Sequence, residues 1–284
     1  MGFSMAEEII REIRDAEMVL VGIGEAFDEG KEQLEEILGA QEEMAWTSPF
    51  LYDLQLSKQE HEERRKALAH LADALQGKNY YVISKSQSID VEETNWREGR
   101  LVMVCGRTSV KQCAKACEDS VPEKLTEEEK NRLTHAGMEF IKDAKLFDKG
   151  ESGTIDNPHD NGALPPEVMQ AMKMIAKRNA LRESLGKLME ASSILGECPK
   201  CGGRVELNVF SAGKYDERGY LKDWDKYTKW LGGSLNRKLL LLEIGCGDAY
   251  PNVITKPFEK ISELNLKSKI LKVNENIIDC LGNL

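Results

Sequence analysis

Four cysteines in two close pairs are the residues of this chain best suited to metal chemistry. The first pair is Cys113-x3-Cys117, and the second is Cys198-Pro-Lys-Cys201, which two glycines follow. Zinc binds four thiolates tetrahedrally, and each close pair can supply two of them from one turn. We therefore expect a zinc site, and a closed set of four thiolates leaves no position for water, which predicts a structural role. The alternative is a chance grouping of buried cysteines.

The remaining cysteines are expected to be core thiols. The chain has seven cysteines, an odd number, and Cys105, Cys246 and Cys280 lie outside the two pairs. In a protein of cytosolic type, metal binding or isolated thiols are favoured over a disulfide framework.

Composition excludes some classes of protein and partner. The chain has 284 residues with 41% hydrophobic and 31% charged residues, as is typical of a globular domain with room for an insertion. Its net charge of −10 disfavours general nucleic-acid binding, which requires surplus Lys and Arg. No apolar run approaches the roughly 20 residues that span a bilayer, and the N-terminal segment lacks the apolar core of a signal peptide. We expect a cytoplasmic protein with no membrane and no nucleic-acid partner.

Hydrophobic periodicity predicts alternating helices and strands in the first part of the chain. A helix entered through Ser57 follows from its capping residue and its 3.6-residue period. Short apolar runs that end in turns indicate strands. The predicted helices are 5–16, 28–39 and 57–76, and the predicted strands are 18–21, 80–84 and 100–105.

The middle of the chain reads as a helical insertion, after which the α/β alternation returns. Thr126 and Glu129 form a capping box for a helix that ends near residue 146. A polar stretch, 150–162, precedes another helix, 165–192. The later predicted elements are strand 239–244, helix 257–264 and strand 269–273. This order predicts a mostly parallel sheet.

Several segments resemble sirtuins, specifically their macrodomain-linked microbial branch. Gly22-Ile23-Gly24 resembles the family's Gly-Ala-Gly loop after the first strand. The segment Ser86-Gln87-Ser88-Ile89-Asp90 resembles Thr-Gln-Asn-Ile-Asp, and Cys105-Gly106 stands at the position of the His-Gly dipeptide.

The resemblance continues to the C-terminal part of the chain. The segments 241–247 and 256–259 resemble the branch's Leu-Glu-Leu-Gly-Val-Gly and Tyr-Pro-Phe-Glu motifs. Lys272-Val273-Asn274 resembles the strand-Asn motif that meets the adenine ribose. The two cysteine pairs also fall in the family's order, with a long insert between them.

The resemblance implies a Rossmann-like sheet (1–106 and 206–284), an inserted zinc-ribbon and helical domain (107–205) and an NAD cleft between them. It implies an NAD-dependent protein deacylase or ADP-ribosyltransferase acting on an acylated or lipoylated protein. The implied catalytic positions are Cys105, Ser88 and Asp90. The implied cofactor positions are Gly22, Ile23, Gly24, Gln87, Asp90, Gly245, Gly247 and Asn274.

Some of these positions depart from the family's chemistry. Cys105 replaces the histidine base, and a thiol acts as a base only when a cation or dipole lowers its pKa. Ser88 replaces an asparagine and offers only a hydroxyl. Glu25 and Asp248 follow the two glycine turns, where a carboxylate repels a nearby phosphate by about 1–4 kcal/mol. The alternative role of Gln87 and Asp90 is to cap the end of a strand.

Three functional hypotheses follow. The first is an NAD-dependent ADP-ribosyltransferase or deacylase, and the second is a catalytically silent binding or regulatory module that keeps the fold and the zinc. The third is an enzyme that binds a different, non-anionic ligand in the same cleft. An accessible Cys105 thiol facing an open cleft would favour chemistry, and a sealed thiol would favour the silent module.

Overall fold

The computed structural model describes residues 4–28, 42–148, 166–248 and 250–284. The predicted helix 28–39 and the polar stretch 150–162 lie outside the described residues, apart from Asp28.

A parallel sheet of five strands forms the larger part of the fold. Its order is β3-β2-β1-β7-β8, and all four pairings are parallel. Numbered within this sheet alone, the order is 3-2-1-4-5, that of a Rossmann-like fold. Strands β1 and β7 are buried along their whole length, as expected where helices cover both faces. The strands are β1 Met18–Ile23, β2 Asn79–Ser84, β3 Leu101–Met103, β7 Leu239–Ile244 and β8 Lys269–Val273.

Local capping fixes where several helices begin. Ser4 and Ser57 each form a capping box with the glutamate three residues later, and Thr126 does the same with Glu129. The helices are α1 Met5–Asp15, α2 Ser48–Gln55, α3 Lys58–Ala74, α4 Ile89–Glu92, α5 Glu127–Asp148, α6 Pro166–Ser192, α7 Arg218–Gly232, α8 Thr255–Leu264 and α9 Ile277–Gly282.

A second, antiparallel sheet belongs to the inserted part of the chain. Its order is β5-β4-β6, from Glu123–Lys124, Gly106–Cys113 and Val205–Val209. Its hydrophobic core also takes in Trp46 and Phe50, which precede the insertion in sequence. The predicted division at residues 106 and 206 stays a prediction.

Strand β3 is shorter than predicted. It ends at Met103, whereas the apolar run continues to Cys105. The chain turns out of the parallel sheet here, because the carbonyl of Cys105 accepts the amide of Phe210 and Gly106 adopts a φ of 92° to enter β4.

The predicted fold class is confirmed: a Rossmann-like parallel sheet carries an inserted ribbon with four clustered cysteines. Among the described helices, none combines the length and hydrophobicity needed to cross a membrane.

Candidate cofactor cleft and four-cysteine centre

The four predicted metal ligands meet at one point of the inserted ribbon. Their sulfur atoms all lie within 4.8 Å of one another. Cys113 and Cys201 are 3.5 Å apart, and Cys117 and Cys198 are 3.6 Å apart, measured between sulfurs. A Zn–S bond of about 2.3 Å in tetrahedral geometry gives sulfur separations of about 3.8 Å. The cluster therefore fits zinc closely.

Backbone amides favour the thiolate form at one cysteine of this cluster. The amide of Lys200 lowers the pKa of the Cys198 thiol to about 6. The turn is closed by bonds from the Cys198 amide to Gly203 and from the Gly202 amide back to Cys198. A thiolate is the form that binds metal, so Cys198 is the best prepared of the four ligands.

Arg218 stabilises the chain around Cys117, on the other side of the cluster. It is not among the residues predicted from the sequence. Its guanidinium donates to the carbonyls of Cys117, Glu118 and Ser120, and Asp216 holds it in place. Arg218 opens helix α7, so this contact joins the first cysteine turn to the segment after the ribbon. No spacing rule links it to the cysteines, because it follows them in a separate helix.

The cleft end of the parallel sheet lies where the strand order reverses, between β1 and β7. Here the two predicted glycine loops touch each other. A β-carbon on Gly24 would lie 2.0 Å from the carbonyl oxygen of Gly245. The Gly24 amide donates to Ile244, and the Ala26 amide donates to Gly245. Because these loop amides bond to the opposite loop, they do not face a ligand as they do in a phosphate cradle.

The other predicted members of these loops have mixed surroundings. Gly22 packs against helix α8, since a β-carbon there would lie 2.4 Å from Ile254. The Ile23 side chain is fully buried in the core. Gly245 has a φ of 62°, and its amide donates to Val273. The predicted loop residues are thus packed against their own surroundings.

An ion pair fills the crevice beside the glycine loops. The Lys85 ammonium lies 2.6 Å from a carboxylate oxygen of Glu25, and its side chain is only 2% exposed. The other Glu25 oxygen lies against Gly247, 3.0 Å from where a β-carbon would stand. The crevice at the strand reversal is where open α/β sheets bind their ligands. Here it holds a carboxylate and its counter-ion from the chain itself.

Residues at the end of β2 serve local structure. The Ser88 hydroxyl accepts the amide of Asp90 and caps helix α4. The Gln87 side-chain amide donates to the carbonyl of Cys105. The carboxylate of Asp28, from the loop after β1, accepts a hydrogen bond from the Ser86 hydroxyl at 2.7 Å. It accepts another from the backbone N–H of Gln87 at 3.2 Å. The cap at this strand end is thus Ser88, whereas the Gln87 side chain bonds to the Cys105 carbonyl.

Asp90 lies at the centre of a buried charge cluster. Its side chain is fully buried, and its two oxygens each lie 2.7 Å from a partner, one from Arg65 and one from His61. The other ring nitrogen of His61 lies 3.0 Å from the carbonyl of Asp53. Both ring nitrogens of His61 therefore face acceptors. Each oxygen of Asp90 is thus engaged by a side chain of helix α3.

Asp53 adds a second buried carboxyl to the same place. One of its oxygens accepts the Ile89 amide at 2.9 Å, and the other is buried without a hydrogen-bond partner. Burial raises the pKa of Asp53 to about 8, and the charges of Asp28 and Asp90 act in the same direction. Asp53 is therefore largely protonated at neutral pH.

Cys105 is a sealed thiol. It is 8% exposed, and its carbonyl accepts from Phe210 and Gln87. The two tyrosines Tyr215 and Tyr220 are stacked nearby, with the Tyr215 hydroxyl donating to Val104. A buried thiol among aromatic rings is poorly placed to accept a proton from a substrate.

Asn274 follows β8 and borders open space. It lines one cavity of about 440 Å³ with Ala26 and Arg64, and a second of about 900 Å³ with residues from the start of α1. The smaller cavity also presents Glu60 and Glu63, so its wall is mostly acidic.

These surroundings fit one end of NAD and conflict with the rest. A cavity beside Asn274 suits a ribose. The diphosphate would meet Glu25 and amides that are already bonded, and the nicotinamide end would meet the closed Asp90 cluster. A dinucleotide would therefore have to displace the Glu25–Lys85 pair from the crevice.

Four residues of this site were not predicted from the sequence: Asp53, His61, Arg65 and Lys85. The useful signal was a lysine directly after a buried strand, since such a residue must have a partner. His61 and Arg65 are one helical turn apart and so share one face of α3. Their target, however, lies far away in sequence.

Comparisons with known proteins give fold-level similarity. No protein-family model and no curated protein matches the chain. One similar solved structure is a Sir2 homologue with a Phe-to-Ala substitution, bound to ADP-ribose; it has a TM-score of 0.49 and 10% identity, over 97% of this chain and 93% of that chain. Two further Sir2 homologue complexes with ADP-ribose carry His-to-Asn and Ser-to-Ala substitutions. Their TM-scores are 0.45 and 0.41, at 9% and 11% identity, over 97% and 98% of this chain and 93% and 95% of theirs.

The strand order, the inserted ribbon and the cysteine cluster are each visible in this chain itself. Together they give it a sirtuin-like fold, the one that its sequence motifs imply.

Proposed function

We propose that this chain is a cytoplasmic, sirtuin-like binding or regulatory module that keeps a structural zinc and does not turn NAD over. The observation that carries the proposal is the engaged state of Asp90, whose two oxygens are each held at 2.7 Å by a side chain of helix α3, His61 or Arg65. A nicotinamide or a water molecule would have to compete with these two side chains for the carboxylate.

Two further features support the same conclusion. The sealed Cys105 is unsuited to act as a base. The Glu25 carboxylate stands in the crevice where a diphosphate would bind. Each feature acts on a different part of NAD, so one rearrangement would not relieve all of them.

The test is nicotinamide release measured together with NAD binding. We expect no release above buffer and no calorimetric binding at millimolar NAD. The control is Asp15→Asn, an exposed aspartate outside the cleft. Nicotinamide release that disappears in Asp90→Asn, with the circular dichroism spectrum unchanged, would contradict the proposal.

A second candidate is an NAD-dependent ADP-ribosyltransferase or deacylase that acts on an acylated or lipoylated protein. The cavity beside Asn274 favours it, because that cavity offers room for a ribose and borders the first glycine loop. This candidate requires the Glu25–Lys85 pair to separate when NAD binds. It predicts saturable NAD binding that weakens in Asn274→Ala, which the first candidate does not.

A further inference from the structure

A third cavity, which we name the edge cavity, lies beside strand β3 and apart from the cysteine cluster. Its volume is about 660 Å³, and it is bordered by β2, the loop before β3, the start of β4 and helix α7. Strand β3 pairs only with Val82–Ser84, so the first half of β2 has no strand on this side. The short edge strand therefore leaves the cavity open.

The wall of the edge cavity is basic in a chain that is acidic overall. Four basic and three acidic side chains line it, a surplus of one positive charge, whereas the chain as a whole carries −10. Two of the acids are already engaged: Glu92 accepts the Ser109 hydroxyl, and Asp223 pairs with Lys226. Glu98 is the remaining acid.

Two arginines of the wall rest on aromatic rings. The Arg100 guanidinium lies 5.2 Å from the Tyr81 ring centre, and that of Arg97 lies 5.7 Å from the Tyr80 ring centre. In the described part of the chain, no carboxylate lies within ion-pair distance of either guanidinium. Stacking fixes the direction of a guanidinium and leaves its N–H groups available at the edge.

A third arginine of the wall, Arg107, lacks close hydrogen-bond acceptors. The Arg107 terminal nitrogens lie 3.8 Å from Glu92 and 3.5 Å from Asp223, longer than the ~2.8 Å of a hydrogen-bonded ion pair. Its Nε is buried and has no hydrogen-bond partner. The long contacts of the terminal nitrogens leave their N–H groups with capacity for a bound oxyanion.

We propose that the edge cavity binds a phosphomonoester of metabolite size. The negative charge of the phosphate faces Arg97 and Arg100, and its oxygens accept from Arg100 and Arg107. The cavity volume far exceeds that of phosphate alone and matches that of small-molecule sites. Trp96, which also lines the cavity, offers an apolar surface to the organic part of the ligand.

Calorimetric titration with phenyl phosphate at low ionic strength tests the proposal. We expect one site per chain, weaker binding of inorganic phosphate and no binding of phenol, because the charge is required and the ring adds contact. Benzoate tests whether a carboxylate binds in place of the phosphate. We expect it to bind more weakly than phenyl phosphate because it carries a single charge. Benzoate binding as tight as that of phenyl phosphate would overturn the assignment to phosphate.

Matched arginine variants locate the site. Arg100→Gln and Arg107→Gln should each weaken phenyl phosphate binding about tenfold or more, since a charged hydrogen bond is lost. Arg237→Gln removes an exposed arginine outside the cavity and should change nothing. If Arg107→Gln does not fold, Arg100→Gln still decides, because Arg100 lies at the cavity wall without an ion-pair partner.

The proposal is overturned if phenyl phosphate does not bind, or if Arg100→Gln binds it as tightly as the unchanged protein. Equal loss in Arg237→Gln would indicate non-specific attraction and would also overturn it. The outcome is independent of NAD, because no probe contains a nucleotide.

Discussion

Lys85 shows how a single side chain decides what the crevice between β1 and β7 can hold. A buried ammonium needs an anion beside it, and Glu25 supplies one from the neighbouring strand end. A ligand phosphate would compete with that carboxylate for the same cation.

Glu25→Gln is therefore expected to create anion binding where the unchanged chain has none. Pyrophosphate should raise the melting temperature of the variant by a few degrees and leave the unchanged protein unaffected, because the variant removes the Glu25 carboxylate that competes with the anion for Lys85. Differential scanning fluorimetry measures this. Glu263→Gln, an exposed glutamate on α8, is the control. Equal shifts in all three proteins would show that Glu25 does not occupy the anion position.

Asp53 predicts a pH dependence of stability. Its pKa is about 8 in the folded protein, mainly through burial, and about 3.9 when unfolded. Because the raised pKa means that the folded state binds the proton more tightly, this group favours folding most below about pH 4. That contribution is lost as the pH rises through about 8.

Asp53→Asn should abolish this loss of folding stability at high pH, because asparagine does not ionise. The variant is expected to be more stable than the unchanged protein by a few kcal/mol at pH 8, with the difference shrinking toward pH 4. Urea unfolding at several pH values measures the difference. A constant gap between the two proteins across that range would contradict the proposed protonation of Asp53.

At the scale of elements, helix α7 connects the four-cysteine cluster to the parallel sheet. Arg218 at its start binds the carbonyls around Cys117, and Tyr227 and Trp230 further along pack against Tyr81 of β2. The helix thus connects the two sheets mechanically.

Arg218→Ala should lower zinc affinity about 10–100-fold, the usual effect of removing a group that orients a metal ligand. Competition with a chromophoric chelator measures the affinity. Arg237→Ala is the control, since it removes an arginine far from the cysteines in the fold. Unchanged affinity in Arg218→Ala would mean that the first cysteine turn is held without its help.

Much of the fold was predictable from the sequence because its signals are local. Capping residues placed the starts of α3 and α5, and apolar runs placed the long strands. The shortened β3 was not predictable, because the turn at Gly106 is set by pairing with β6. The same distinction applies to the site. The cysteine knuckle is a local pattern, whereas the Asp90 and Lys85 partners come from other elements.

At the scale of the whole molecule, the inserted ribbon has its own hydrophobic core. That core includes Leu133 and Phe140 of α5 and is separate from the two cores of the parallel sheet. Zinc should therefore stabilise one part of the protein more than the other.

Removing zinc with a chelator should separate unfolding into two steps. We expect the ribbon and its helices to lose structure at a temperature lower by about 10 °C or more, because metal binding contributes directly to folding. The parallel sheet should keep its own transition. Calorimetric scans with and without chelator measure both. A single transition at an unchanged temperature would mean that zinc does not hold the ribbon together.

The pairing of Gly106 with Val209 places the two ends of the insertion side by side. The chain therefore leaves the sheet and returns to it through adjacent strands, as one expects where a segment has been added to an older scaffold without disturbing its strand order. Such a segment could be exchanged for another of different length, provided that the replacement covers Trp46 and Phe50, which the present one shields. The connections of the ribbon would allow such an exchange, whereas its contacts with Trp46 and Phe50 restrict which segments could replace it.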